Sequence, residues 1–351
     1  MIEKHSSRFC RSPELRTVLV LLIALGAAGA VVALPRTVSQ AKADFAAIMT
    51  QAKLLADLGS HRQAAEAFGS IVRDVTAPAA LRREAMVRLG LALSAAGDAR
   101  ASKKVFKEAR ASFSADPQAF RFLTYAVART VPGKIWPDFR APIEELLKTA
   151  EVISVEDLVR GDTATKRVYL KKDEFELKAV WKPSRPETAA YELDKMLGLD
   201  MVPPTVVRVI EGRQGSLQLW INGCKDYKQL EEQVPATSDW SHQIARMNLF
   251  DALIFNPGRV ATNMLVDPNW EIVLIDHLLA FSSDGDVRNL PSQFDRRLVA
   301  KLRALREKEL QTRLDGILST EEIRNILKRR DTLLAHLAKL VAEKGEAAVL
   351  F

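Results

Sequence analysis

Residues 176–221 read ELKAVWKPSRPETAAYELDKMLGLDMVPPTVVRVIEGRQGSLQLWI. Glu176–Trp181 alternates apolar and polar positions as a half-buried strand does, and an earlier run, Arg167–Leu170, has the same texture. Glu187–Leu197 carries helical spacing. Thr205–Ile210 and Ser216–Ile221 are strand-like runs on either side of Glu211–Gly215, which reads as a hairpin turn. The sequence therefore predicts a small mixed lobe of strands with one helix. Short strands follow around Asn263–Val266 and Ile272–Ile275, and the amphipathic stretches Pro291–Leu310 and Thr320–Lys344 predict core helices of a larger, helical lobe.

Upstream, the chain has a different period. Gly59 is followed by Ala64, Phe68 and Ile71, and Gly97 by Ser102, Phe106 and Ala109 at the same offsets. Leu89, Gly90 and Leu93 have spacing that lets one helix pack closely on another. This resembles the tetratricopeptide pattern, with a period of 38 residues because the link through Thr76, Ala77 and Pro78 is long. A third helix is expected over Phe120–Thr130, ended by Pro132 and Gly133. Two repeats are fewer than the ~3 an independent stack needs, so they are expected to lean on the next domain. Pro132, Pro137 and Pro142 punctuate a linker, 131–152, that includes a short helix, Ile143–Val152.

The stretch at 176–221, with LFDALIFNPGRVATNML (249–265) and EIVLIDHLLAF (271–281), resembles the secretory kinases of the Golgi casein kinase and four-jointed type and their bacterial relatives. More remotely it is similar to HipA and phosphoinositide-type kinases. The resemblance runs from about Val155 to Gly345. It implies an α+β fold: an atypical protein-kinase-like two-lobed domain at 153–346, preceded by the all-α repeats at 38–130. A kinase holds triphosphate charge, coordinates metal and orients an acceptor hydroxyl, with little covalent work of its own. The resemblance assigns Lys182 to the nucleotide phosphates and Glu187 to pairing with that lysine. It assigns Asn263 and Asp276 to metal: hard oxygen ligands suited to Mg²⁺ or Mn²⁺ bound together with ATP. Asp251 and His277 belong to the motifs as braces of the loop. Gly161, Thr163 and Thr165 could cover phosphates, although no GxGxxG is present. Gln218–Ile221 would lead into the adenine-contacting hinge, with Trp220 there as core or as nucleotide contact.

One position departs from the family. Where its members carry Asn-x-Asp-Arg, this chain has Asn256, Pro257, Gly258 and Arg259. Gly258 stands where the catalytic Asp belongs, five residues before Asn263, so the register is kept and only the side chain is missing. A glycine cannot accept or orient the acceptor proton, help typically worth ~10²–10⁴-fold. The expectation is a pseudokinase that still binds nucleotide and metal. The alternatives are an active kinase using another base, such as Asp251, on a protein or glycan acceptor, or a scaffold that binds a protein partner through its helical repeats.

Thr17–Leu34 runs 18 positions without a charge, which as a helix spans about 27 Å. Lys4, Arg8, Arg11 and Arg16 flank it, so residues 1–16 are expected as a cytoplasmic tail and 17–35 as a transmembrane anchor. The rest would lie outside the cytoplasm, in the periplasm if the source is bacterial. A cleaved signal peptide is the competing reading; the run exceeds the usual ~7–15 residues of a signal core. The chain has 351 residues and a net charge of +7. Residues 1–35 carry +2, 36–150 carry +7 and 151–351 carry −2, so no chain-wide basic surface exists and nucleic acid is not an expected partner. The basic repeats read equally as a partner-binding face and as a solvated spacer. The two cysteines, Cys10 and Cys224, would fall on opposite sides of the membrane, unpaired. Scattered histidines and the lack of a G-x-S-x-G or Walker-type loop set aside zinc, serine-hydrolase and P-loop chemistry.

Overall fold

Gly59 and Gly97 both sit at left-handed φ, +78° and +85°, a region closed to most side chains. Each turns the chain between two antiparallel helices. A computed structural model describes residues 38–351, save 114, 131–132, 135, 159–163, 174, 282–286 and 288–289. The expected tail and anchor at 1–16 and 17–35 lie outside the described residues, as do Gly161 and Thr163. Among the described residues no helix is long and apolar enough to cross a membrane. The chain divides between Asp44 and Phe45 into two units; of the first, only the opening of a helix is described.

Five helices come first: α1 (Val38–Asp57), α2 (His61–Arg73), α3 (Ala79–Ala95), α4 (Ala99–Phe113) and α5 (Pro117–Thr130). Ala64, Phe68 and Ile71 on α2 and Ser102, Phe106 and Ala109 on α4 are all buried. Gly90 makes the α3–α4 approach possible. A Cβ there would lie 2.6 Å from the Phe106 ring, and the Ser102 hydroxyl donates to the Gly90 carbonyl at 2.8 Å. The long link is an Asx turn: the Asp74 carboxylate accepts from both the Thr76 amide and its hydroxyl.

These helices do not stack alone. Phe106, Phe113 and Leu123 share one core with Val168, Leu170, Leu177 and Trp181 of the following sheet. The stretch read as linker is part of that core. Trp136 and Phe139 are fully buried in a 3₁₀ turn, and a helix, α6, spans Arg140–Thr149. It starts earlier than expected because Pro142, within the first turn, lacks only an amide that helix geometry leaves unpaired there. A strand not read from the sequence, β1 (Glu151–Asp157), follows at once.

The sheet is antiparallel in the order β1–β2–β3–β5–β4, with β2 at Lys166–Lys172, β3 at Phe175–Lys182, β4 at Thr205–Ile210 and β5 at Arg213–Leu219. Helix α7 (Pro186–Leu197) crosses between β3 and β4 and ends at Gly198 with φ +65°. The buried Asp194 carboxylate then caps the Met201 and Val202 amides. The chain is thus a mixed helix-and-sheet protein with a helical N-terminal segment and a sheet lobe.

A second core gathers around α8 (Ser238–Ile254), capped by Thr237, and the small sheet of β6 (Lys225–Asp226), β7 (Met264–Val266) and β8 (Ile272–Leu274). The expected helix over Pro291–Leu310 is instead two: α9 (Arg296–Ala304) and α10 (Glu307–Leu314). Asp295 starts the first by accepting from the Arg297 and Leu298 amides. Helix α11 (Thr320–Lys344) has the predicted bounds because Ser319 and Glu322 close a capping box at its start. A last turn, α12 (Glu346–Val349), ends the chain.

Candidate functional site

Lys182 is the final residue of β3, paired in register with Ser216 of β5. Pro183 and Pro186 end the strand, and Pro186 opens α7, which places Glu187 in the first helical turn, where a carboxylate is favoured. Its Oε1 accepts from Lys182 Nζ at 2.7 Å. The ammonium also donates to Asp276 Oδ1 at 2.6 Å. So β3, α7 and the end of β8 meet at one lysine.

The β7–β8 hairpin supplies the metal-type residues. Its ladder pairs Met264 with Leu274, and the Ile275 amide donates to the Asn263 carbonyl at 3.2 Å. Asn263 and Asp276 therefore flank the same end of the hairpin. Asp276 takes a left-handed φ of +60°, uncommon for a residue with a side chain. Asn263 Nδ2 donates to the Gly258 carbonyl at 3.1 Å, which leaves its amide oxygen as the remaining ligand atom. Asp276 is the most exposed of the three charged groups, with a side chain 41% accessible, against 14% for Lys182 and 2% for Glu187. One carboxylate and one amide oxygen form a hard donor set that suits Mg²⁺ or Mn²⁺ with phosphate and water completing the shell. Among the described residues no group of three or more His, Cys, Asp or Glu could hold a metal, which a softer, all-protein site would need.

Charge is strongly tuned here. Burial acts to raise the Glu187 pKa, but the His277 hydrogen bond and the Lys182 ammonium outweigh it and bring it to about 2. Burial likewise acts to lower the Lys182 pKa. The Glu187 and Asp276 carboxylates overcome it and hold the ammonium above its usual value. Both groups are charged at neutral pH.

Arg259 organises the loop, a role that the sequence did not reveal. Its Nε and Nη2 donate to the two Asp251 oxygens, at 2.8 and 3.0 Å. Its Nη1 donates to the Asn263 and Ile275 carbonyls, at 2.7 and 2.8 Å. Asp251 also accepts from Asn256 Nδ2 at 3.0 Å. Both Asp251 oxygens are thus committed, in line with its reading as a brace. Gly258 lies between these anchors. A Cβ built on it would stand 3.2 Å from Leu279 Cδ1 and 3.6 Å from Asn256 Oδ1, and its φ is not among the positive ones. A Cβ would fit there after a small shift of one leucine methyl, so the backbone does not demand glycine. A cleft of about 390 Å³ lies against the loop, lined by Asn248, Asp251, Phe255, Asn256, Pro257 and Arg259 among others.

No family model matches the chain, and no curated protein matches it. Among solved structures, that of hydra Fam20 with sugar is similar at 13% identity, covering 60% of this chain and 92% of that one, with a TM-score of 0.48. A likeness this loose bears on neither activity nor ligand; the side-chain geometry does.

The remaining expected site residues with described positions make contacts of their own in or beside the sheet. Trp220 carries the Arg167 guanidinium 5.1 Å from its ring centroid, and Gln218 Nε2 donates to Thr205 Oγ1 inside the sheet. Thr165 is buried just before β2. Cys224 is a free thiol whose pKa burial pushes up to about 12, which makes it inert as a nucleophile at neutral pH.

Proposed function

We propose that the chain is an atypical-kinase-like protein that binds a nucleoside triphosphate with Mg²⁺ or Mn²⁺ and has lost efficient phosphoryl transfer: a pseudokinase. The observation that carries this reading is the convergence of Lys182, Glu187 and Asp276 from three elements, with Asn263 at the same hairpin end. Glu187 holds the lysine where β3, α7 and the end of β8 meet, and there its ammonium would meet phosphate oxygens. Asn263 and Asp276 would hold the metal, which when bound neutralises charge on the phosphates. Asp276 accepts from Lys182 through Oδ1, and to hold a metal through that oxygen it would have to give up that contact.

Transfer lacks its proton acceptor. Gly258 offers no carboxylate, and Asp251 is tied to Arg259 and Asn256 through both oxygens. That disfavours the alternative in which Asp251 replaces the missing base. The apolar run at 17–34 and its basic flank support a membrane-anchored protein with its bulk outside the cytoplasm. A partner for the basic helices α2–α4 is part of the same proposal.

Thermal unfolding of the full chain with ATP and Mn²⁺ is the test. A ligand at ~100 times its Kd stabilises by ~2.7 kcal/mol, about 5–10 °C for a chain of this size. The shift is expected in the wild type and absent in Asp276→Ala. No wild-type shift would leave only the scaffold reading. Radiolabel transfer that Asp276→Ala abolishes would overturn the pseudokinase assignment in favour of an active kinase.

A further inference from the structure

Arg259 has five N–H groups, and a guanidinium can only donate. Four of them meet Asp251 twice, the Asn263 carbonyl and the Ile275 carbonyl. The fifth, on Nη2, points at His277 Nε2 at 3.1 Å. That nitrogen must therefore be the acceptor, which puts the imidazole proton on Nδ1. Nδ1 lies 3.0 Å from Glu187 Oε2 and donates to it. The backbone amide of the same residue donates to Glu187 Oε1, also at 3.0 Å. Residue 277 thus grips both oxygens of the carboxylate, and Oε1 is left turned to Lys182. The imidazole is fully buried, with Phe250 edge-on to it.

The backbone explains why one residue can do this. With Asp276 at φ +60°, consecutive side chains diverge: Asp276 reaches the lysine, and His277 reaches the glutamate paired with it. Along the chain, α8 holds Arg259 through Asp251, Arg259 fixes the tautomer of His277, and His277 orients Glu187.

We propose that His277, locked as the Nδ1–H tautomer by Arg259, is the positioning residue that orients Glu187 and thereby Lys182 for nucleotide; this rests on the nucleotide-site reading above. His277 itself touches no ligand. Its contribution is the hydrogen bond to Glu187, and the loop contact to Arg259 serves to select the tautomer.

Two substitutions separate the two bonds. His277→Asn keeps an amide N–H near the Nδ1 position and loses the acceptor for Arg259. His277→Gln can offer Arg259 an oxygen near the Nε2 position and loses the donor to Glu187. A fluorescent ATP analogue titrated with Mn²⁺ into the full-length protein reads the outcome, alongside the ligand-free Tm. Binding within ~3-fold of wild type is expected for His277→Asn, and a loss of ~10-fold or more for His277→Gln, the size of one hydrogen bond to a charged group. Equal binding by the two variants, or binding that simply follows the ligand-free Tm, would overturn the proposal. Imidazole ¹⁵N resonances give a second measurement that needs no nucleotide. The signal that His277→Gln removes should be that of an Nδ1–H tautomer, and an Nε2–H or doubly protonated ring would overturn the assignment. If the wild type binds no nucleotide while this signal is as expected, the proposed function fails and the hydrogen-bond assignment stands.

Discussion

Lys182→Met removes one charge from a site that buries its partner. The Glu187 side chain is 2% exposed, so without the ammonium its carboxylate stays desolvated. Asp276, 41% exposed, is hydrated instead and loses little. Breaking a buried pair by deleting one partner costs ~3–5 kcal/mol. The His277 amide and imidazole still donate to Glu187, which puts the expected cost at the lower end, about 3 kcal/mol at pH 7. In a chain of this size that is a fall of about 6–12 °C in Tm. Urea unfolding at constant m value measures it directly. The penalty should shrink as pH falls, because the unpaired carboxylate takes up a proton at a higher pH than the paired one does. Adding Glu187→Gln to Lys182→Met should recover ~2 kcal/mol relative to the sum of the single changes. A pH-7 penalty under ~1 kcal/mol, or one independent of pH, would refute the claim that this pair is buried and mutually dependent.

Two further expectations concern acid stability and helix packing. The Glu187 pKa is lowered in the folded chain from 4.5 to about 2, so its contribution of about 3 kcal/mol is complete above pH 4.5 and is lost as pH falls toward 2. Urea titrations from pH 6 to pH 2 should show a steeper decline in wild type than in Glu187→Gln; Asp194, which burial raises, acts in the opposite sense and is common to both. Equal slopes would contradict the lowered value. Gly90→Ala should cost ~1–3 kcal/mol, because its methyl would stand 2.6–2.9 Å from three atoms of the fully buried Phe106 ring, whereas Gly97→Ala meets nothing within 4 Å and should lose only the ~1–2 kcal/mol of its left-handed φ. A neutral Gly90→Ala in thermal unfolding would show that α3 and α4 can separate without loss.

Much of the fold was legible because burial leaves a period. Phe68 and Phe106 mark the buried faces of α2 and α4, the alternation at Glu176–Trp181 marks β3, and the amphipathic stretch Thr320–Lys344 marks α11; each is a local signal. The stretch at 131–152 was less legible, because Trp136, Phe139 and α6 are buried by partners remote in sequence, and prolines alone look like punctuation. The helices of 38–130 also showed their own apolar faces without showing what would cover them. Part of that cover is the five-stranded sheet, which shares a core with Phe106, Phe113 and Leu123, and apolar periodicity does not name the surface it meets.

The candidate site divides in the same way. The resemblance to the secretory kinases, carried by motif order, is what assigned roles to Lys182, Glu187, Asn263 and Asp276 and marked the missing carboxylate at Gly258. Taken singly, Lys182 and Glu187 read as a surface lysine and a helix-start glutamate. What only the tertiary structure decided is how the donors and acceptors are shared out. Glu187 and His277 are 90 residues apart, and Arg259 is satisfied by groups from α8, the β7–β8 hairpin and His277. A hydrogen-bonding group has a fixed number of partners, and which of them it finds depends on coordinates rather than spacing. That sharing commits Asp251 to Arg259, sets the tautomer of His277 and turns Glu187 toward Lys182.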